Sequence, residues 1–244
     1  LKLICGLDPR RYEIRTVCLR PQTPFLEEFK KNNCEVTVLG MERYFQIGPL
    51  IRLYRMMKTW RPDLVHTHLY RDAVYGRVIA RLAGVPGVVS TLQNSYVWRP
   101  WSQLFLDRVT AVFADRITAV SDAVKRFAVE REHMPAAKLV TVYNAIDHKR
   151  FRVPPEVRIR VRRELGIGPD EIAIGSTGAL THQKGFGYLL EAAAAIHRTY
   201  PEVRFFIGGE GDLEKELPAR RDRLGLEGTV EFLGFRSDVP ELLS

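Results

Sequence analysis

Short apolar runs rich in Val, Ile and Leu alternate along this chain with stretches whose apolar residues recur every three or four positions. The first pattern belongs to strands and the second to one-sided helices. Residues Leu1–Leu7 read as the end of a helix. The alternating, β-branched run Tyr12–Leu19 predicts a strand, followed by a short helix over Pro24–Asn32 and a strand over Glu35–Leu39. Pro49–Trp60 is helical in pattern, with Leu50, Leu53, Tyr54 and Met57 on one face. Strand Asp63–Thr67, helix Asp72–Ala83 closed by Gly84 and Pro86, strand Val88–Leu92 and helix Trp101–Phe113 continue the rhythm. Strand Asp115–Val120 leads into Ser121, an N-cap for a helix through Glu132, and Lys138–Tyr143 is the next strand.

Residues 144–155 (N-A-I-D-H-K-R-F-R-V-P-P) interrupt this rhythm with a polar, proline-ended stretch. A domain boundary belongs there. Beyond it the pattern restarts: helix Glu156–Leu165, strand Glu171–Ser176, helix Gly185–Tyr200, strand Val203–Ile207, helix Leu213–Leu224, strand Thr229–Leu233 and a helix begun at Asp238–Leu243. Strand and helix in strict alternation imply parallel strands joined by crossover helices. The expectation is an α/β protein of two Rossmann-like, doubly wound domains, residues 1–147 and 148–244. Such sheets bind ligands at the carboxyl ends of their strands, and two of them create a cleft there.

One stretch, Ile172–Ala195, combines a short apolar run expected to be a buried strand, a loop holding Gly175, Gly178, Lys184 and Gly185, and a helix start. On that helix Phe186, Leu189, Leu190, Ala193 and Tyr200 fall on one face. Unpaired N–H groups and the helix dipole favour an anion at such a terminus, and Lys184 adds a full charge. The same residues also suit a plain glycine-rich connection with a solvated lysine. Neither a G-x-x-x-x-G-K-[ST] loop nor a G-x-G-x-x-G fingerprint occurs.

Charge sharpens the division. Of 37 Lys+Arg and 29 Asp+Glu, 24 and 14 lie at or before Arg150, a surplus of ten, leaving 13 against 15 beyond it. A basic first part points to an anionic surface or acceptor, or to no more than a basic solvated face. No zinc spacing or aromatic-basic RNA strand signature is present, so nucleic acid is not an expected partner. No apolar run is long enough to span a membrane. Cys5, Cys18 and Cys34 share no metal-ligand spacing and read as buried, reduced thiols of a cytosolic protein. The chain opens on Leu1 inside an apolar pattern, as expected of a piece of something longer.

Residues following strands carry the candidate chemistry. His66 and His68 point to one side of their strand. They resemble a metal pair but lack a third ligand at a telling distance, so a core His66 and a cleft-facing His68 are preferred. Gln93-Asn94-Ser95-Tyr96 is a polar cluster at a strand end, which turn chemistry would also explain. Gly208-Gly209-Glu210-Gly211-Asp212 permits close backbone approach to a ligand or a tight turn. Gly234-Phe235-Arg236 ends another strand. There is no G-x-S-x-G and no lone cysteine in a suitable loop for nucleophilic catalysis.

These residues resemble a known family. G-L-D-P-R-R-Y-E-I, D-L-V-H-T-H-L-Y-R-D-A-V-Y-G-R, A-R-L-A-G-V-P, A-D-R-I-T-A-V-S, V-Y-N-A-I-D-H-K-R-F, H-Q-K-G-F-G-Y-L-L-E-A, G-G-E-G-D-L and V-E-F-L-G-F-R-S-D-V-P-E-L-L run nearly end to end. In this order they are similar to the retaining glycosyltransferases of family 4, with their two-Rossmann GT-B fold. The resemblance implies a nucleotide-sugar donor in the second domain and a lipid-linked, saccharide or other cell-envelope acceptor in the first. It implies transfer with retention, no bound metal and no cofactor. Donor-binding residues are then Gly178, Lys184, Gly209, Glu210, Gly211, Leu233 and Gly234, with Lys184 on the diphosphate. Acceptor-side residues are His68 and Asn94, and Gln93 joins Lys184 as a catalytic candidate. The expected location is the cytoplasm, with peripheral contact at an anionic membrane surface.

Three departures qualify the resemblance. Ala179 stands where the family often has Arg, and Gln93 where it commonly has His; glutamine bonds a hydroxyl but carries no proton. The family's opening strand and its later paired-glutamate motif lie outside residues 1–244, so both domains are expected to be incomplete and the fragment inactive. The alternatives are a non-catalytic sugar-nucleotide-binding member of the fold and a sugar-nucleotide epimerase or hydrolase.

Overall fold

The computed structural model describes residues 2–21, 26–32, 34–95 and 99–244. The chain divides into two compact units, Leu1–Ala145 and Ile146–Ser244. The first contains α1 (Lys2–Cys5), β1 (Thr16–Cys18), α2 (Leu26–Lys31), β2 (Val36–Val38), α3 (Ile47–Trp60) and β3 (Leu64–His68). It continues with α4 (Tyr70–Ala83), β4 (Gly87–Leu92), α5 (Trp101–Thr110), β5 (Arg116–Ala119), α6 (Asp122–Glu130) and β6 (Leu139–Thr141). The second contains α7 (Pro155–Glu164), β7 (Ile172–Thr177), α8 (Phe186–His197), β8 (Val203–Gly208), α9 (Glu216–Arg223), β9 (Val230–Gly234) and α10 (Val239–Leu242).

Every strand pairing is parallel. The expected single sheet of the first unit is instead two among the described residues: β1-β2, and β3-β4-β5-β6 in sequence order. Both share a core, because Leu19 and Leu39, one residue past β1 and β2, pack with Leu53 and Met57 of α3, Ile79 and Ala80 of α4, and Val88 of β4. α4 lies close on β3 because position 76 is glycine: a Cβ there would stand 2.6 Å from Thr67 Cγ2. Gly84 closes α4 in the left-handed conformation, and Ser121 caps α6 by accepting from Val124 N–H at 3.2 Å.

Several expected elements are shorter. Tyr12–Arg15 is not strand, because the Tyr12 N–H turns back to the Asp8 carbonyl and the partner β2 offers only three residues. The start of the helix expected over Pro24–Asn32 lies outside the described residues. Leu213–Lys215 form turns ahead of α9, and α8 stops at His197, so Tyr200 is exposed rather than on its buried face. None of the three cysteines is buried: Cys5 sits on an exposed four-residue helix, and Cys18 and Cys34 are half-buried on or next to the short β1–β2 pair.

In the second unit β8 is central, and Val203, Phe205, Phe206 and Ile207 are all buried, the continuous apolar run of a strand covered on both faces. β7, expected to be buried too, pairs with β8 alone among the described residues and is exposed. Ile172 and Ile174 are 53% and 36% exposed. Phe186, Leu190 and Ala193 of α8 join β8 and Leu217 of α9 in the core.

The carboxyl ends of β7, β8 and β9 are stitched together by main chain alone. Gly178 N–H donates to Gly208 O at 3.0 Å, Leu180 N–H to Glu210 O at 2.9 Å, Leu213 N–H to Leu180 O at 3.0 Å and Gly209 N–H to Gly234 O at 2.7 Å. No side chain fits between these loops. A Cβ on Gly209 would lie 1.9 Å from the Gly178 carbonyl oxygen, and one on Gly211 2.7 Å from that of Leu180. Gly209 also has φ +143°, which L-residues rarely adopt.

Gly209→Ala is therefore expected to destabilise the chain by more than about 3 kcal/mol, since backbone must move on both sides. Gly225→Ala, at φ +66° in open space, should cost only about 1–2 kcal/mol. Denaturant titration of the two variants checks this; equal shifts would show that the loops separate without penalty.

Candidate functional site

In the second unit the stitched strand ends gather most of the residues singled out from the sequence. The loop after β7 runs through Gly178 and Ala179 into a 3-10 turn at His182–Lys184, and Gly185, left-handed at φ 72°, starts α8. A Cβ on Gly178 would stand 3.9 Å from both Cγ and Cδ of Lys184, so the lysine stem lies over this glycine. Lys184 is exposed and makes no ion pair among the described residues. The first N–H groups of α8 have no intrahelical acceptor, and its first turn holds no acidic residue, so this corner is electropositive. Ala179 is exposed and contributes no charge.

Gly209, Glu210 and Gly211 reach the same corner through the main-chain bonds to residues 178–180, with the Glu210 side chain exposed. On β9 the register passes from Ile207↔Phe232 to Gly208↔Gly234, which leaves Leu233 as the extra residue of a bulge and turns the chain there. Beyond it Arg236 crosses Gly208, its Cγ 3.8 Å from where a Cβ would be. Its guanidinium is fixed by Asp238 at 2.8 and 2.7 Å and by Glu164 at 2.7 Å. These bonds hold Asp238 below the usual carboxylate range. The R-x-D spacing of Arg236 and Asp238 is the sequence signal for this clasp, which the strand-end pattern alone does not give.

In the first unit β3 carries His66 and His68 on one face, rings 4.2 Å apart. His66 Nε2 is 2.7 Å from Thr91 Oγ1, which is 2.8 Å from Thr118 Oγ1, a polar ladder across β3, β4 and β5. Gln93 Nε2 donates to His68 Nδ1 at 3.2 Å, so the neutral His68 carries its proton on Nε2. Burial, reinforced by the neighbouring His66, pushes His68 down to about 4, and burial also lowers His66. Among the described residues no group of three or more His, Cys, Asp or Glu is arranged to hold a metal. Asn94 is half-buried beside Gln93; Tyr96 lies outside the described residues.

The turn after His68 is strained. Leu69 has φ 66° and ψ 161°, a region that belongs almost to glycine alone, and it starts α4 without a capping side chain. What holds it lies beneath. Arg77, fully buried on α4, donates to Ser90 Oγ at 2.7 Å and to Asp107 Oδ1 at 2.6 Å, while Arg99 reaches Asp107 Oδ2 at 2.8 Å and stacks over Tyr70. The Tyr70 hydroxyl is pushed up to about 12 by burial, with the Asp107 charge adding to it. The sequence reading missed this network. Its signal was Arg77 in helical phase with Ala73 and Ala80, on the side of α4 that faces the core.

Comparison with known proteins places this geometry among others. Residues 1–150 match the family model described as Glycosyltransferase Family 4, and residues 157–244 the model described as Glycosyl transferases group 1. The chain is 27% identical over 254 residues to UDP-Gal:alpha-D-GlcNAc-diphosphoundecaprenol alpha-1,3-galactosyltransferase of Escherichia coli, covering 97% of this chain and 64% of that protein. Anabaena Alr3699/HepE, solved in complex with UDP and glucose, superposes with TM-score 0.86 at 23% identity over 98% of this chain and 66% of that one. The chain thus spans just under two thirds of the length of these two relatives. UDP-GlcNAc 2-epimerase from Neisseria meningitidis shares the fold at TM-score 0.63 and 14% identity, over 96% of this chain and 68% of that one. The fold alone therefore does not separate transfer from epimerisation.

The pH behaviour of His68 follows from its surroundings. Its neutral form is favoured on folding, so its contribution to stability is complete above the ordinary histidine value and is lost as pH falls towards 4. Asp72, pushed up to about 6 by burial, works in the opposite sense, its contribution lost as pH rises through 6. Ring resonances followed by NMR separate the two. His68 is expected to stay neutral at pH 6 and to titrate near 4; a midpoint at 6 or above would overturn its burial behind Gln93.

Proposed function

The chain belongs to Glycosyltransferase Family 4, and from that premise we propose that it moves a sugar from a nucleotide-sugar donor to a lipid-linked or saccharide acceptor, with retention at the anomeric carbon. The observation that carries this reading is Lys184, without an ion pair among the described residues, over Gly178 and at the start of α8. The donor diphosphate binds there. As the bond from the anomeric carbon to the diphosphate oxygen breaks, its electron pair passes to the leaving group. Lys184 and the helix terminus stabilise the charge that develops. The acceptor hydroxyl bonds to the anomeric carbon from the same face and gives up its proton to the departing diphosphate oxygen. With Lys184 supplying the charge, we propose that transfer needs no metal, so that chelation leaves turnover unchanged.

Leu233 and Gly234 border the nucleoside, and Gly209, Glu210 and Gly211 border the sugar diphosphate. In the first unit His68, held neutral, donates from Nε2 to the acceptor, and Gln93 fixes its orientation, with Asn94 beside them. The reaction belongs to the cytoplasm, where an envelope precursor would be the acceptor. That relatives are named galactosyltransferase and are solved with UDP and glucose supports a uridine diphosphate sugar as the first donor to try. Ala179, where the family often has Arg, favours a second reading, a member that binds donor without turnover. Incubation with labelled nucleotide-sugars and an acceptor extract distinguishes transfer, an altered free sugar-nucleotide, and binding alone.

Lys184→Ala is expected to weaken uridine diphosphate binding roughly ten- to hundredfold, the loss of a charged hydrogen bond worth about 1.5–3 kcal/mol. Calorimetric titration of the folded variant reads this, and unchanged affinity would remove Lys184 from the site. In the full-length enzyme Gln93→His should retain turnover or raise it; a large loss there with the fold intact would show that the His68 pairing depends on the amide.

A further inference from the structure

The transfer reaction proposed above uses His68 and leaves His66 idle, yet His66 is the more firmly held of the two. Both rings lie on one face of β3. Each bonds to the residue two further along β4 than its own ladder partner. His66 is in register with Val89 and bonds Thr91; His68 is in register with Thr91 and bonds Gln93. From Thr91 the contacts run on to Thr118 Oγ1 at 2.8 Å, its register partner on β5, and from there to the Ser90 carbonyl oxygen at 3.3 Å.

A hydroxyl has one proton to give and a carbonyl has none. Only one direction therefore makes all three contacts hydrogen bonds. Thr118 donates to the Ser90 carbonyl, Thr91 donates to Thr118, and His66 must donate to Thr91 from Nε2. The proton of neutral His66 thus sits on Nε2, the same tautomer that Gln93 sets at His68 by a separate contact.

A single bond to one ring nitrogen leaves an imidazole free to swing about that bond. Among the described residues Gln93 is the one hydrogen-bond partner of the His68 ring. Its second support is the His66 ring, with centroid 4.2 Å away and planes 35° apart. Burial favours the neutral form of both rings, so no like charge drives them apart. The His66 ring cannot turn without breaking the hydroxyl chain. That chain ends on Ser90, whose side chain, on the opposite face of β4, accepts from fully buried Arg77 at 2.7 Å. One serine therefore anchors the hydroxyl chain by its carbonyl and the buried charges by its hydroxyl.

We propose that His66 is a positioning residue. It holds the His68 ring in the plane from which Nε2 donates to the acceptor, and the Thr91–Thr118 hydroxyls fix His66 in turn. That His68 serves an acceptor rests on the transfer reading; the support of one ring by the other does not. Valine has the shape of threonine without the hydroxyl, and serine has the hydroxyl without the methyl, so the two separate this role from packing.

The test uses the full-length protein with nitrogen-15 histidine, the two rings assigned through His66→Gln and His68→Gln. Long-range proton–nitrogen spectra at about pH 7 are expected to show both rings neutral and protonated on Nε2. Thr91→Val should shift the resonances of both rings. It should also lower sugar-transfer turnover on the order of tenfold, since a reacting group misplaced by about 1 Å can cost roughly a hundredfold. Uridine diphosphate affinity and circular dichroism should not change. Thr91→Ser should restore both spectrum and turnover. Thr118→Val reads the same chain from one strand further away: it frees the Thr91 proton to turn towards His66 and should bring in the form protonated on Nδ1. Turnover kept by valine and lost by serine would make position 91 a packing site and overturn the proposal. Wild-type His66 protonated on Nδ1, or His68 resonances indifferent to Thr91→Val, would also overturn it and leave the transfer reading standing. Coupled rings in a protein that transfers no sugar would overturn the transfer reading and leave His66 as the support of His68.

Discussion

The stitching of main chain between the loops after β7 and β8 underlies the second unit. Gly178 bonded to Gly208, Leu180 to Glu210 and Gly209 to Gly234 turn three strand ends into one continuous floor. The floor exists because Gly209 and Gly211 carry no side chain to hold the loops apart. Lys184 depends on it, since its stem rests over Gly178 at the margin of that floor. Arg236 depends on it as well, crossing Gly208 before its guanidinium meets Asp238 and Glu164. Among the described residues Lys184 makes no ion pair, while Arg236 is engaged by Asp238 and Glu164 and fastens α7 and α10.

The first unit solves a similar problem with buried charge. Leu69 is forced into a conformation it disfavours, and the sharp turn presents His68 at the end of β3. Under that turn Arg77, Asp107 and Arg99 bind α4, β4 and α5 together through two carboxylate oxygens and a serine. Breaking one partner of such a buried set leaves an uncompensated charge, at a cost of about 3–5 kcal/mol. Strain at the surface is tolerated because the layer beneath it has little freedom to relax.

Most of the element order was legible in the chain. V-R-F-F-I reads as a strand, and β8 is one; Gly84 and Ser121 mark a helix end and a helix start where their chemistry predicts. The failures share a cause: local pattern does not state what stands opposite. Tyr12–Arg15 alternates like a strand but finds no partner among the described residues, and Ile172 and Ile174 are apolar yet exposed on β7. Arg77 was invisible because its partners are 13 to 33 residues away. The glycine cluster at 208–211 reads as ligand approach or a tight turn, and at Gly209 and Gly211 the nearest thing it approaches is its own chain. That packing reason holds whether or not a ligand lies beyond it.

A floor built of main chain says little about the identity of what rests on it. Amide and carbonyl groups are the same in every residue, and steric exclusion at Gly209 and Gly211 forbids writing anything more distinctive there. On the function proposed above, discrimination between one sugar and another falls to the rim, at exposed positions such as Ala179, Glu210 and Phe235. Divergence of such a protein towards a new substrate has a mutable border and an immutable base, and laboratory redesign should respect the same partition.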